Sequence, residues 1–337
     1  MRRLILSGVL LAALVGAAFW YLAPDSNSGL ILYSAEDYST AAAHAFAARS
    51  GVPVTVVSLS TGALLARIAA EGNRPHWNLA WFDGAESAAG LAAAHLTGVV
   101  HADLDWNRLG RRLVPADGHW VPTGMTLAGV FVVPEARYSG APRTWRALAS
   151  WHGRIGMNNP AISGPAFPIL AALLEAGGGW PAGKSFVRTL VHNGMRIYAK
   201  NSNTLAALDV GNIDLALVQS SAGFAFARAH PGFRVLVPDP AVALPSVIVV
   251  PHGLSGRRRT AVLRFVRYVM SPGGQAIRMG QGEADSLYWP LTRSVSRPRG
   301  DDPLPPVPAA VTVADARNWG RRQAVMGRWF SALWGAP

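Results

Sequence analysis

The chain has 337 residues, half of them hydrophobic and 15% charged, with 35 Gly and 24 Pro. That balance excludes a disordered chain and suits two α/β lobes of roughly 100 to 150 residues with short, abrupt connections. With no cysteine there is no disulfide, thiolate metal site, cysteine nucleophile or lipid-attachment point, and the net charge of +12 comes from scattered arginines, such as Arg111-Arg112 and Arg257 to Arg259, which make a diffuse field favouring anions and not a nucleic-acid-binding stripe.

Arg2 and Arg3 precede an uncharged run from Leu4 to Ala23. It reads either as a signal peptide cleaved after Ala18, where Gly16 and Ala18 are suitably small, or as an uncleaved membrane anchor through residues 4–23. Either way the positive flank leaves the rest of the chain outside the cytoplasm. Beyond it, one unit repeats: a short apolar strand, a loop of small polar residues, an alanine-rich helix. The strands are Leu30 to Tyr33, Val54 to Val57 and Trp77 to Phe82, and the helices Ala41 to Ala48, Ala63 to Glu71 and Glu86 to His95. Such units predict a parallel sheet with helices on its faces.

Residues 100–122 lack periodicity, and Met125 to Pro134 reads as one long strand. The repeat then restarts with strands Arg154 to Met157, Met195 to Ala199 and Ile213 to Val218, followed by helices Phe167 to Ala176, Thr204 to Val210 and Ala222 to Ala229. A second long strand, Ser246 to Pro251, leads into a helix from Arg257 to Met270 with Val262, Phe265, Val266 and Val269 on one face. Two triplets separated by long strands predict two lobes with two hinge strands. Lobe one takes residues 29–124 and 250–296, and lobe two with the hinge strands takes 125–249. Residues 1–28 are the leader, and 297–337 a proline-rich linker and terminal helix, capped by Thr312, packing on lobe one.

In open parallel sheets ligands sit beyond the carboxyl ends of the strands, where hydroxyls, amides and free N–H groups of helix starts bind anions. The candidate ligand-binding residues are Ser34, Ser60, Thr61, Asp83, Ser163, Gly164, Asn203, Thr204, Ser220 and Ser221, with Tyr288 reaching in from the hinge side. Each Ser or Thr is equally suited to plain helix capping. Enzyme signatures are wanting: there is no Gly-x-Ser-x-Gly elbow and no His-Glu-x-x-His. Gly178 to Ser185 matches the Walker pattern in letters, but a helix precedes it where a strand is required. The nine histidines are dispersed, so neither a metal nor a cofactor is expected.

Several segments in order resemble bacterial extracellular solute-binding proteins of the ferric-iron and aminoethylphosphonate type. They are Tyr33-Ser34 through Ala48, Ser60-Thr61-Gly62 through Gly72, Asn159-Pro160-Ala161-Ile162-Ser163-Gly164-Pro165, Asn201-Ser202-Asn203-Thr204-Leu205, Ser271-Pro272-Gly273-Gly274-Gln275 and Asp285-Ser286-Leu287-Tyr288. The resemblance implies a two-lobed periplasmic binding protein fold of type II, closing on a ligand, in a periplasmic monomer that serves an ABC permease and its ATPase without being an enzyme. Ferric members of the family hold iron through adjacent tyrosines in a loop that here reads Gln219-Ser220-Ser221. The hydroxyl-rich cleft therefore points to an oxyanion, such as a phosphonate, phosphate ester or carboxylate. Ferric iron or an iron chelate is the alternative ligand, and a membrane-anchored sensor or interaction protein on the same fold the alternative class.

Overall fold

The computed structural model describes residues 29–297 and 304–334; both readings of the leader fall outside the described residues. The first lobe is built from β1 (Leu30–Ser34), α1 (Ser39–Ser50), β2 (Val54–Ser58), α2 (Thr61–Glu71), β3 (Leu79–Asp83), α3 (Ala85–Ala93), β4 (Thr97–Gly98) and α4 (Arg108–Leu113). Alanine-rich stretches make the helices, and glycine ends the first: Gly51 takes φ 71°, and its N–H bonds the Ala47 carbonyl. β1 pairs in parallel with β2 on one side and β3 on the other, and both faces are covered, so its residues are almost all buried.

Strand β5 (Val121–Leu127) then leads to β6 (Val130–Pro134), and these belong to different sheets. The single strand expected over Met125 to Pro134 is thus two. The reason is Gly129, whose φ of +77° turns the chain between the lobes, and where an added Cβ would lie 2.4 Å from the Trp145 ring. The second lobe continues with β7 (Ile155–Asn158), α5 (Ala166–Ala176), α6 (Lys184–His192), β8 (Arg196–Tyr198), α7 (Asn201–Asp209), β9 (Leu215–Val218), α8 (Ser220–Ala229) and β10 (Phe233–Leu236). Its strand order is β10-β6-β9-β7-β8. The Walker-like letters are no phosphate loop: Lys184 opens α6 with its Nζ over the Trp180 ring at 4.2 Å.

The chain returns along β11 (Ala241–Pro251), all of it buried, and closes the first lobe with α9 (Gly256–Met270) and α10 (Pro272–Gln281). β11 starts five residues before the strand expected at Ser246, because Pro245 does not break it: the register shift falls just beyond, between Ser246 and Val247. The first sheet runs β12-β11-β3-β1-β2, where β12 is Val311–Thr312, with β4 and β5 also paired to β11. β5 and β11 are hydrogen-bonded antiparallel neighbours and carry the two crossings between lobes. The first core centres on Trp81 and Phe265, with Tyr38 edge-on to Trp81 at 4.9 Å; the second gathers Phe131, Leu170, Leu215 and Leu217.

The tail differs from expectation. Thr312 lies in β12 (Val311–Thr312), paired with β11, and the cap belongs to Asp315, which accepts from the Asn318 N–H before α11 (Ala316–Gly320). The last helix, α12 (Gln323–Leu333), does not rest on lobe one alone. Gln323 at its start bonds Ser87 of α3 at 2.9 Å, while Trp329 meets Trp180 of the second lobe, ring centres 5.5 Å apart. Gly320 and Gly90 let α11 and α3 touch through backbone, since a Cβ on Gly320 would fall 2.4 Å from the Glu86 carbonyl.

Candidate functional site

The carboxyl ends of β1, β3, β7 and β9 face one another across a cavity of about 760 Å³. Ser60, Thr61 and Asp83 line it from the first lobe, and Ser163, Gly164 and Ser221 from the second. Ser60 also caps α2 by accepting from the Ala63 N–H. Ser221 keeps a buried Oγ without a hydrogen-bond partner.

The remaining candidates do not line the cavity. Ser34 accepts from the Glu36 N–H at 3.0 Å in the turn after β1. Asn203 is exposed within α7, because that helix starts at Asn201; Lys200, Asn201 and Ser202 hold its cleft end. Thr204 is fully buried and donates to Asn158 Oδ1 at 2.8 Å, bracing the floor. Ser220 accepts from the Leu127 N–H at 2.9 Å, tying α8 to the hinge. The Tyr288 hydroxyl donates to Gln275 Oε1, and its ring lies 3.9 Å from the Arg278 guanidinium.

The lobes touch. The Gly62 N–H donates to the Ile162 carbonyl at 3.1 Å, and Gln219 Nε2 donates to Asp83 Oδ2 at 2.9 Å. Asp83 Oδ1 accepts from Ser246 Oγ of β11 at 2.8 Å, and Ser246 accepts in turn from Arg278 Nη2.

Sequence reasoning missed a carboxylate cluster on the first lobe. Asp37, Asp83 and Asp285 line the cavity, and buried Glu36 lies behind them. Burial, then the charges of Asp83 and Asp285, push Glu36 well above the usual carboxyl range. Burial raises Asp83 against the opposing pull of Ser246 and Arg278. Asp285 is pushed up to about 7 by burial and by the Asp83 charge. Arg278, buried among Tyr38, Tyr288 and these acids, stays charged, held above its ordinary value by its neighbours although burial opposes it. The second lobe presents no such cluster: it contributes the exposed Lys200, the Asn201 amide, His230, a single carboxylate in Asp209, and the starts of α7 and α8. The cleft is acidic on one wall and rich in donors on the other.

A stability trend follows. Carboxyls whose folded pKa is raised bind protons more tightly folded than unfolded, so their stabilisation is present below about pH 4 and is lost as pH rises through their folded values. Asp285 and the buried Glu86, each near 7, place the loss between about pH 4 and pH 7. The melting temperature of the ligand-free protein is expected to fall across that window in calorimetry; a flat or rising curve contradicts the cluster's protonation.

Two α/β lobes on two hinge strands, closed over a polar cleft, are the architecture of a binding protein that captures solutes. Residues 41–308 match the family model for bacterial extracellular solute-binding proteins, and the chain belongs to that family. No curated protein matches it. Among solved structures, iron-bound HitA from Pseudomonas aeruginosa superposes with a TM-score of 0.69 at 19% identity, over 89% of this chain and 98% of that one. The fructose-6-phosphate-bound AfuA from Actinobacillus pleuropneumoniae gives 0.70 at 14%, covering 92% and 100%. The Atu4243 GABA receptor gives 0.71 at 16%, covering 92% and 98%. These are two-lobed periplasmic binding proteins in fold, and the chain is the solute-binding component of an ABC importer. Among the described residues no helix is long and apolar enough to cross a membrane.

Proposed function

We propose that the cleft captures a small zwitterionic solute in the periplasm, an oxyanion at one end and an ammonium at the other, and delivers it to an ABC permease and ATPase. The reading rests on the division of the cleft. Lys200, the unpartnered Ser221 hydroxyl and the N-termini of α7 and α8 suit a phosphonate or carboxylate. Asp37, Asp83 and Asp285 suit an ammonium, which relieves their mutual repulsion. The oxyanion expected from the sequence is kept, and the carboxylates add a cationic end. The GABA receptor among the structural neighbours supports the reading, since GABA carries both groups. Iron fits less well: Gln219, Ser220 and Ser221 offer no phenolate, and among the described residues no group of three His, Cys, Asp or Glu is arranged to hold a metal.

Isothermal titration with 2-aminoethylphosphonate, 4-aminobutyrate, ethylphosphonate, putrescine and iron(III) citrate tests this. At least one of the two zwitterions is expected to bind, and ethylphosphonate and putrescine, each lacking one end, about tenfold or more weaker. Heat from iron(III) citrate alone, or ethylphosphonate equal to its amino analogue, overturns it.

A further inference from the structure

Gln219 lies just after β9, is 3% exposed and belongs to the second lobe, yet its amide Nε2 is spent on groups outside that lobe. Nε2 donates at 2.9 Å to Asp83 Oδ2 of the first lobe and at 3.0 Å to Thr126 Oγ1 of hinge strand β5. On its own lobe, Oε1 accepts from Asn201 Nδ2, and its backbone N–H donates to Asn201 Oδ1, both at 3.4 Å. Asn201 Oδ1 also accepts from Asn158 Nδ2 at 2.6 Å. On the other side, Asp83 is fixed by Ser246 of hinge strand β11, which Arg278 holds from behind. A single chain of hydrogen bonds therefore runs from the first lobe through both hinge strands into the second.

We infer that Gln219 is the positioning residue that clasps the two lobes shut, holding the closed state through Asp83 before any solute enters. In the clasped form Asp83 accepts from both Ser246 and Gln219, and parting the lobes takes away the Gln219 donor while Ser246 stays. Closure by this contact is independent of which solute binds.

The test uses ligand-free protein. The chain has no cysteine, so spin labels on Ala70→Cys of α2 and Arg188→Cys of α6, both exposed, report the distance between lobes without background. The unsubstituted clasp is expected to show a population at the short, closed distance. Gln219→Glu sets two carboxylates against each other and should remove at least four-fifths of that population at pH 8, with recovery at pH 5 when the pair shares a proton. Adding Asp83→Asn to Gln219→Glu reverses donor and acceptor and should restore closure at pH 8, which a merely structural defect could not do. Three results overturn the proposal: no short-distance population in the starting protein, the same distances in Gln219→Glu at pH 8, or no recovery in the double variant. Because no ligand is present, failure here leaves the zwitterion reading standing, and failure of the titration panel leaves the clasp standing.

Discussion

Gly62→Ala is expected to leave the ligand-free protein folded and to weaken solute binding about 100-fold, about 2.8 kcal/mol. Gly62 sits in the first turn of α2 and reaches across the cleft: its N–H donates to the Ile162 carbonyl. A Cβ there would lie 1.9 Å from the Ala161 carbonyl oxygen and 2.9 Å from its carbon. Both are backbone atoms and cannot swing away as a side chain end can. The only relief is to part the lobes by more than about 1 Å, which takes the 2.9 Å Gln219–Asp83 bond beyond hydrogen-bond range. Within its own helix the substitution is favourable, since Ala is the better helix former by up to about 1 kcal/mol. Stability and binding thus separate: the melting temperature without ligand holds or rises, while titration with the tightest-binding solute of the panel shows the loss. Unchanged affinity contradicts the closed contact.

The parts of the site legible in the sequence were those built from neighbouring residues. Ser60-Thr61 and Ser163-Gly164 announce helix starts within a few residues of a strand end, and the strand-loop-helix repeat says which end of the sheet they crowd. The carboxylate wall was not legible, because Glu36, Asp83 and Asp285 come from three turns separated by some two hundred residues of chain, and nothing in their local context marks them as neighbours. In the sequence Gln219 stands out only as the absence of a tyrosine; its reach to Asp83 depends on how the lobes close. At the hinge, single residues decide what the sequence pattern hides. Gly129 looks like an ordinary small residue in an apolar run until its positive φ separates β5 from β6, and Pro245 looks like a strand boundary until the register shift beyond it lets β11 run on. In the tail, Thr312 and Asp315 are both plausible caps, and pairing of β12 with β11 selects the second.

The second large effect joins stability to the proposed ligand. Asp285→Asn is expected to raise the ligand-free melting temperature at pH 8 and to weaken binding of the zwitterion by about tenfold to 100-fold, the worth of one hydrogen bond to a charged group. Asp285 faces the cleft beside Asp83, and burial and that charge together push it up to about 7. At pH 8 it is therefore ionised against its surroundings, a destabilised group whose repulsion an ammonium relieves. The amide keeps the shape and loses the repulsion, so the free protein gains and the complex loses, the opposition expected where a site is held strained for its ligand. Two further readings bear on the same point. In the unsubstituted protein, binding near pH 7 should release a fraction of a proton, because the ammonium lowers the Asp285 pKa, and affinity should rise with pH through that value; heats measured in buffers of different ionisation enthalpy count the proton. Asp285→Asn should abolish most of that release and flatten the fall in melting temperature between about pH 4 and pH 7. If stability and affinity instead drop together, Asp285 is a structural support and the ammonium end of the ligand must be sought elsewhere in the cleft.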